Sequence, residues 1–268
     1  MDTLLIIGYA TSVLIGLSLG LIGGGGSILT VPVLVYIVGI NPVLSTAYSL
    51  FIVGVTSLVG SVNFMRKDLV HYRAALVFAV PSFIAVFLTR KFLVPAIPDP
   101  LLSLGSFELS KSMAIMVFFA LVMLAASYSM IKKKTVKEQN SEQVQFNYLM
   151  IGLEGAVVGT LTGIVGAGGG FLIIPALVLL AKLPMKMAVG TSLLIIAAKS
   201  LIGFLGDIGT QTIDWQFLLV FTALSVVGIF VGSFLSKKIP GEKLKSGFGW
   251  FVLVMAIYIM LNELVLNT

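Results

Sequence analysis

The chain has 268 residues, of which 58% are hydrophobic and only 10% charged; its mean hydropathy is +1.11 and its net charge +6. A soluble domain carries about 25% charged residues. A globule of this length could not hide so much apolar surface, so the solvent is lipid. The absence of Cys excludes disulfides, thiolate metal sites and thiol catalysis, and the single histidine, His71, cannot form a metal cluster alone. In a membrane chain the excess of Lys and Arg reads as loop charge that sets orientation, not as a nucleic-acid patch.

Residues 4–22 read as a first membrane segment, because neither a basic n-region nor a small-residue cleavage site marks a signal peptide. Apolar runs of about the 20 residues a helix needs to span a bilayer follow at 43–64, 72–94, 111–131, 148–166, 186–206, 215–236 and 244–264. Two shorter runs, 27–39 and 170–181, each follow a glycine cluster. The polar segment KKKTVKEQNSEQVQFN at 132–147 has the composition of a solvated linker. It divides the chain into a first membrane unit at 1–131 and a second at 148–268.

These two units are copies. GGGGSILTVPVL at 23–34 returns as GAGGGFLIIPALVL at 166–179. When Pro32 is aligned with Pro175, Gly16, Gly20, Gly23, Gly25 and Gly26 fall on Gly159, Gly163, Gly166, Gly168 and Gly169. Ser49-Leu50 then falls on Ser192-Leu193, and Val70-His71-Tyr72 on Ile213-Asp214-Trp215. Glycine-interrupted hydrophobic segments at matching positions of a duplicated chain point to the binding site of a secondary transporter.

The short runs decide the expected topology. If each glycine-linked pair enters the membrane and returns, then Arg66, Lys67, Arg73, Lys132, Lys133, Lys134, Lys137, Lys182, Lys186, Lys237, Lys238, Lys243 and Lys245 share one side. Only Arg90, Lys91 and Lys111 lie opposite, with Lys199 inside the membrane. The positive-inside rule favours this arrangement over one net crossing per pair. It puts both termini outside the cytoplasm and inverts one unit relative to the other. The expected fold is an all-α polytopic membrane protein of two inverted repeats. Each has a glycine-broken re-entrant or short helix pair plus three transmembrane helices, and the linker is cytoplasmic.

Candidate site residues follow from where helices restart, expected at Ser27 and Phe171. First-turn N–H groups lack intrahelical partners and sit at the positive end of the dipole. Glycine lets a ligand approach the backbone closely. Gly24, Gly25, Gly26 and Ser27, with Gly168, Gly169 and Gly170, could therefore hold one small oxyanion between them. Tight helix packing is the plainer use of such glycines, and it is the role expected of Gly16, Gly20, Gly159 and Gly163. Tyr48, Ser49, Thr191 and Ser192 offer hydroxyls to oxyanion oxygens, or bond back to helix carbonyls. Lys199, deep inside a predicted helix, is a counter-charge for an anion, a partner for Glu154, or a snorkelling side chain. Glu154, about two turns into its helix, is the candidate proton-coupling group. Trp215, Tyr72 and Trp250 read as interface anchors.

The duplicated glycine-proline motifs, AVGTSL at 188–193, and the aromatic after the next loop in each half (VHY and IDW) resemble the sulfite exporter TauE/SafE family of membrane permeases, also called the toluenesulfonate uptake permease group. The resemblance covers nearly the whole chain. In the first half Ala47-Tyr48-Ser49 stands where the second has Gly190-Thr191-Ser192, so Tyr48 departs from the pattern. Membership implies transport of sulfur-containing or organic anions such as sulfite, sulfoacetate or other sulfonates. The expected function is thus a secondary transporter in the cytoplasmic (inner) membrane, with a small anionic substrate and the lipid bilayer as its partners, and no cofactor, metal or nucleic acid. The absence of G-x-x-x-x-G-K-[ST] argues against direct use of ATP. An anion channel with the same glycine site is the alternative. An embedded enzyme has against it the lack of Cys and of paired intramembrane acids.

Overall fold

The computed structural model describes residues 3–104, 107–131, 148–179, 181, 183–209, 211–235 and 241–266, so the expected linker at 132–147 and Lys182 lie outside the described residues. Its helices are α1 (Thr3–Ile22), α2 (25–37), α3 (Pro42–Met65), α4 (Tyr72–Ala96), α5 (Lys111–Ile131), α6 (Tyr148–Val165), α7 (Gly170–Leu179), α8 (Met185–Leu205), α9 (Trp215–Leu235) and α10 (Gly241–Leu261). Six of them, α1, α3, α4, α5, α8 and α9, are long and apolar enough to cross a membrane; α2, α6 and α10 contain shorter apolar stretches. One element departs from the all-helical expectation. Between α4 and α5 the chain forms a two-stranded antiparallel ribbon, β1 (Leu102–Leu104) with β2 (Phe107–Leu109). The prolines at 95, 98 and 100 stop the helix there, because proline has no N–H to continue it.

Several helices begin where a side chain supplies a cap. Asn41 Oδ1 accepts from the Val43 N–H at 2.9 Å, ahead of Pro42 in the first turn of α3. His71 Nδ1 accepts from the Ala74 N–H at 3.1 Å, and Asp214 Oδ1 from the Phe217 N–H at 3.0 Å. These last two caps occupy corresponding positions in the two halves.

Outward faces are apolar. Leu76, Val80, Ile84 and Leu88 of α4, and Leu219, Val227, Phe230 and Phe234 of α9, are exposed, as lipid requires. Trp215, Tyr72 and Trp250 are exposed as well. Inside, α3 and α8 are the most thoroughly buried of the six spans and pack on each other. The other main pairs are α1 with α9, α4 with α6, and α5 with α10, while α4 also packs on α8 and α9 on α3.

Glycines set these contacts. Gly16 lies against the Ser225 carbonyl and Gly20 against Ile229 and Gly232; Gly159 lies against Ser82 and Gly163 against Thr89. The four outer glycines therefore bring α1 onto α9 and α6 onto α4, the close backbone approach that small residues permit in membranes. The successive contacts also give direction: α1 runs parallel to α9, and α6 parallel to α4. Leu50 beside Gly203, Leu201 beside Gly54 and Phe64 beside Gly190 make α3 and α8 antiparallel. The short connections at 66–71 and 206–214 reverse the chain, so α1, α3 and α9 run one way and α4, α6 and α8 the other. The ribbon marks one face of the bundle, here the ribbon face. The opposite, linker face carries the 66–71 turn, the end of α5 and the starts of α6 and α8.

A methyl group on Gly16 would run into the Ser225 backbone, which cannot move aside as a side chain could. Gly16→Ala is expected to cost about 1–3 kcal/mol of stability, the usual range for overpacking. Gly247, in α10, has nothing within 4 Å, and Gly247→Ala is expected to gain up to about 1 kcal/mol from helix propensity. Thermal unfolding of both variants in detergent checks the contrast.

Candidate functional site

Both glycine clusters break the helical path. Gly24 sits at φ 136° and Gly169 at φ 68°, conformations L side chains rarely adopt. The chain turns sharply at each cluster and restarts a helix. The restart comes earlier than the sequence suggests. In the first half it is at Gly25, as a tight 3₁₀ turn (Gly25–Leu29) leading into Thr30–Pro32 and a wide π turn (Val33–Ile37). In the second half it is at Gly170. The two glycines adopt the turn geometry that pulls the helix start forward, and Pro32, lacking an N–H, interrupts the regular ladder of α2.

The two turns touch. A methyl on Gly24 would stand 2.8 Å from Gly170 Cα and 2.8 Å from Ile196 Cδ1. Gly168 faces Val53 and, at 3.0 Å from its would-be Cβ, Ser27. Val53 and Ile196 are corresponding residues, each eleven positions into its helix, or roughly 16 Å at 1.5 Å per residue. The turns therefore meet near the middle of α3 and α8, and only glycine allows that approach. Gly26 is turned away, against Ser18 and the Leu19 backbone of α1.

Hydroxyls lace the turns. Ser27 Oγ donates to the Gly24 carbonyl at 2.8 Å. Ser192 Oγ lies 2.7 Å from the Gly23 carbonyl and 2.9 Å from that of Val189, sharing its proton between them. Ser49, the counterpart of Ser192, is fully buried with no partner for its Oγ. Thr191 is placed elsewhere: its Oγ1 accepts from the His71 N–H at 2.9 Å, at the start of α4. Its counterpart Tyr48 does the same in the other half, its hydroxyl accepting from the Asp214 N–H at 2.7 Å. The departure of the first half from the second half's motif thus has a physical reading. Position 48 or 191 holds down the start of the opposite half's α9 or α4, and a phenol serves there as well as a threonine.

Lys199 is fully buried. Its ammonium donates to Thr162 Oγ1 at 2.9 Å, and Thr162 in turn donates to the Val158 carbonyl at 2.6 Å. It also stands beside Gly169, where a methyl group would lie 2.7 Å from Nζ. The charge is not snorkelling: it points at the second glycine turn. Glu154 does not pair with it. Among the described residues the only ion pair is that of Arg90 with Asp207. Glu154 lies eight residues before Thr162 on α6, about 12 Å along the axis; it is half-buried, and Oε2 has no partner. The hollow beside Gly169, lined by Val122, Leu161, Thr162, Val165, Ala167 and Leu172, measures about 10 Å³, at most one water. The turns are closed on each other in this conformation.

Arg90 overturns its reading as a loop charge. It is fully buried. Nε donates to Asp207 Oδ2 at 2.8 Å, and Nη2 lies 2.7 Å from Oδ1; Nη1 donates to Thr46 Oγ1 at 2.8 Å and to the Gly163 carbonyl at 3.2 Å. One guanidinium thus joins the ribbon-face ends of α3, α4, α6 and α8. Nothing local marks it. Arg90 stands next to Lys91 at the end of an apolar run, and Asp207 lies 117 residues away.

The profile of the family described as Sulfite exporter TauE/SafE matches residues 9–259. A "Probable membrane transporter protein" of Xylella fastidiosa (strain Temecula1 / ATCC 700964) is 30% identical over 261 residues, covering 96% of this chain and 95% of its own. The "Probable membrane transporter protein YunE" of Bacillus subtilis (strain 168) is 26% identical over 272 residues, covering 94% and 95%. No solved structure matches. A multi-pass bundle broken at two matched glycine turns, with the family profile running through both of them, places this chain among transporters and not enzymes: it belongs to the sulfite exporter TauE/SafE family of membrane transporters.

Proposed function

We propose that this protein is a secondary transporter that moves a small anion, a sulfur oxyanion or organosulfonate such as sulfite or sulfoacetate, across the cytoplasmic membrane by alternating access. The observation that carries the reading is Lys199. Its ammonium is buried about two-thirds of the way along α8 beside Gly169, with a threonine hydroxyl as its hydrogen-bond partner and no ion-paired carboxylate among the described residues. A charge removed from water without a counter-ion is costly, and an anion at the glycine turns would supply one. The adjoining ligand groups would be Gly24, Gly25, Ser27, Gly168, Gly169 and Gly170, with Ser49 and Ser192; Gly26 and Thr191 would shape the turns and the start of α4.

The rocking units would be residues 1–131 and 148–268 as inverted repeats. Two features support this. Each main helix pair is either matched by its counterpart (α1 with α9, α6 with α4) or joins two counterparts (α3 with α8, α5 with α10). Corresponding helices also run in opposite directions, α1 against α6 and α3 against α8. The linker face, which carries Arg66, Lys67, Arg73 and Lys186, would be cytoplasmic, which leaves both termini outside. Burial of Arg90 removes one of the three charges that stood against this orientation.

The test is binding of a panel of sulfur oxyanions, sulfonates and carboxylates by thermal shift, then flux into liposomes for any hit. Saturating, gradient-coupled flux is expected; high unitary conductance would identify a channel instead. Glu154 is the proposed proton carrier. Glu154→Gln is expected to abolish pH-driven accumulation and preserve exchange, and full accumulation by that variant would assign coupling to the membrane potential acting on the anion.

A further inference from the structure

The two faces of the bundle are closed differently. On the ribbon face, Arg90 ties Asp207, Thr46 and Gly163 together. The corresponding positions on the linker face are Ser233, Phe64, Val189 and Gly20, none of them ionisable. There Val189 packs on Gly23, and Phe64 packs on Gly190. At these positions the ribbon face is therefore held by an ion pair, and Val189 and Phe64 of the linker face by apolar contact.

The depth of these groups matters. Thr46 lies against Gly166, at the edge of the second glycine turn. Ser49, with its unpartnered hydroxyl, is one turn deeper on α3. Lys199 is eight residues before Asp207 on the same stretch of chain, or roughly 12 Å further in. From the ribbon face inward the order is Arg90, then Ser49, then Lys199. A guanidinium binds a carboxylate and an oxyanion through the same two-pronged geometry, so an entering anion and Asp207 compete for one fork.

We propose that Arg90 selects anions at the ribbon-face entrance, and that its pair with Asp207 is the latch an anion must exchange with to enter. This rests on the anion-transport reading for its ligand but not for the latch. Exchange with the carboxylate frees the end of α8 from α4 and hands the anion toward Lys199. Entry from the linker face meets no such cation among the corresponding positions, so the two directions should differ in apparent affinity.

The chain has no Cys, so single reporters can be placed at Ser49→Cys, behind the latch, and at the corresponding Ser192→Cys as control. Labelling with a charged maleimide in nanodiscs is expected to be slow at both. Asp207→Asn should speed labelling at position 49 by about tenfold or more and leave position 192 unchanged. The swap Arg90→Asp with Asp207→Arg should restore slow labelling. Unchanged labelling at 49 in folded Asp207→Asn overturns the latch. Should that variant fail to fold, Asp207→Glu, which keeps the charge but misfits the fork, replaces it with the same expectation and the same overturning result.

Sulfite uptake into right-side-out and inverted vesicles tests selection. The swap should raise KM for sulfite entering at the ribbon face by about tenfold, the scale of one charge-assisted contact, and leave KM from the linker face unchanged. An equal change from both faces, or none, overturns the entry role of Arg90. Absence of sulfite flux in the unmodified protein counts against the transport reading, while the labelling result still decides the latch.

Discussion

Lys199→Met is expected to weaken sulfite binding by about ten- to a hundredfold, the worth of a charge-assisted hydrogen bond of 1.5–3 kcal/mol, without lowering the stability of the fold. Methionine keeps the apolar stem and removes the ammonium. In the native protein that ammonium is fully buried and donates to Thr162 alone among the described hydrogen bonds. Its loss leaves Thr162 Oγ1 still bonded to the Val158 carbonyl, so no polar group is orphaned. A buried charge without an ionic partner is a net cost to folding, which the substitution relieves. Thermal unfolding and isothermal titration with sulfite on the same preparation separate the two effects. Unchanged affinity would leave the anion to the backbone N–H groups alone. Lost stability with unchanged affinity would make Lys199 a packing residue.

Gly170→Ala is expected to be strongly destabilising and to abolish transport. The added Cβ would press on the backbone of Gly24 and on Ile196 Cδ1. Backbone cannot rotate out of the way, so the two glycine turns must separate. The cost should reach or pass the upper end of overpacking, about 3 kcal/mol, and transport should be lost even where the protein still folds. Gly169→Ala makes a useful contrast. Its methyl meets the flexible end of Lys199 and the Thr162 hydroxyl, which can shift, so the stability loss is set mainly by φ 68°, about 1–2 kcal/mol. Anion affinity should nonetheless fall sharply, because the methyl displaces the ammonium. Unfolding temperature and sulfite affinity measured side by side for both variants check the ranking. Equal stability of Gly170→Ala and Gly247→Ala would mean that the turns do not bear on each other.

Much of this architecture is legible from residue types because lipid simplifies the problem. Every backbone polar group must be satisfied within a helix, so an apolar run near twenty residues has few choices. The spans expected at 43–64 and 215–236 appear as α3 and α9 with ends shifted by one residue. Gly16, Gly20, Gly159 and Gly163 could be assigned to packing because small residues four apart share one helix face. The glycine turns at 23–26 and 166–170 announce themselves by repetition. Lys199 does so by being a charge with no local reason to be there.

Other features depend on residues far apart in the chain. That the two turns touch each other requires α3 and α8 to cross antiparallel, which no local signal encodes. Arg90 next to Lys91 has the look of a solvated loop pair, and only the arrival of Asp207, Thr46 and Gly163 from three other segments makes it a buried hydrogen-bonded junction. Thr191 and Tyr48 read as candidate ligands until the starts of α4 and α9 are brought against them. Glu154 and Lys199 could be paired on charge alone, yet the helical rise separates Glu154 from the Thr162 level by eight residues. The sequence by itself determined the solvent, most of the spans and the places where helices break, because those follow from transfer energies and backbone chemistry along a single segment. Which polar groups meet was decided by the tertiary structure, because a hydrogen bond or ion pair acts over about 3 Å and its partner can come from anywhere in the chain.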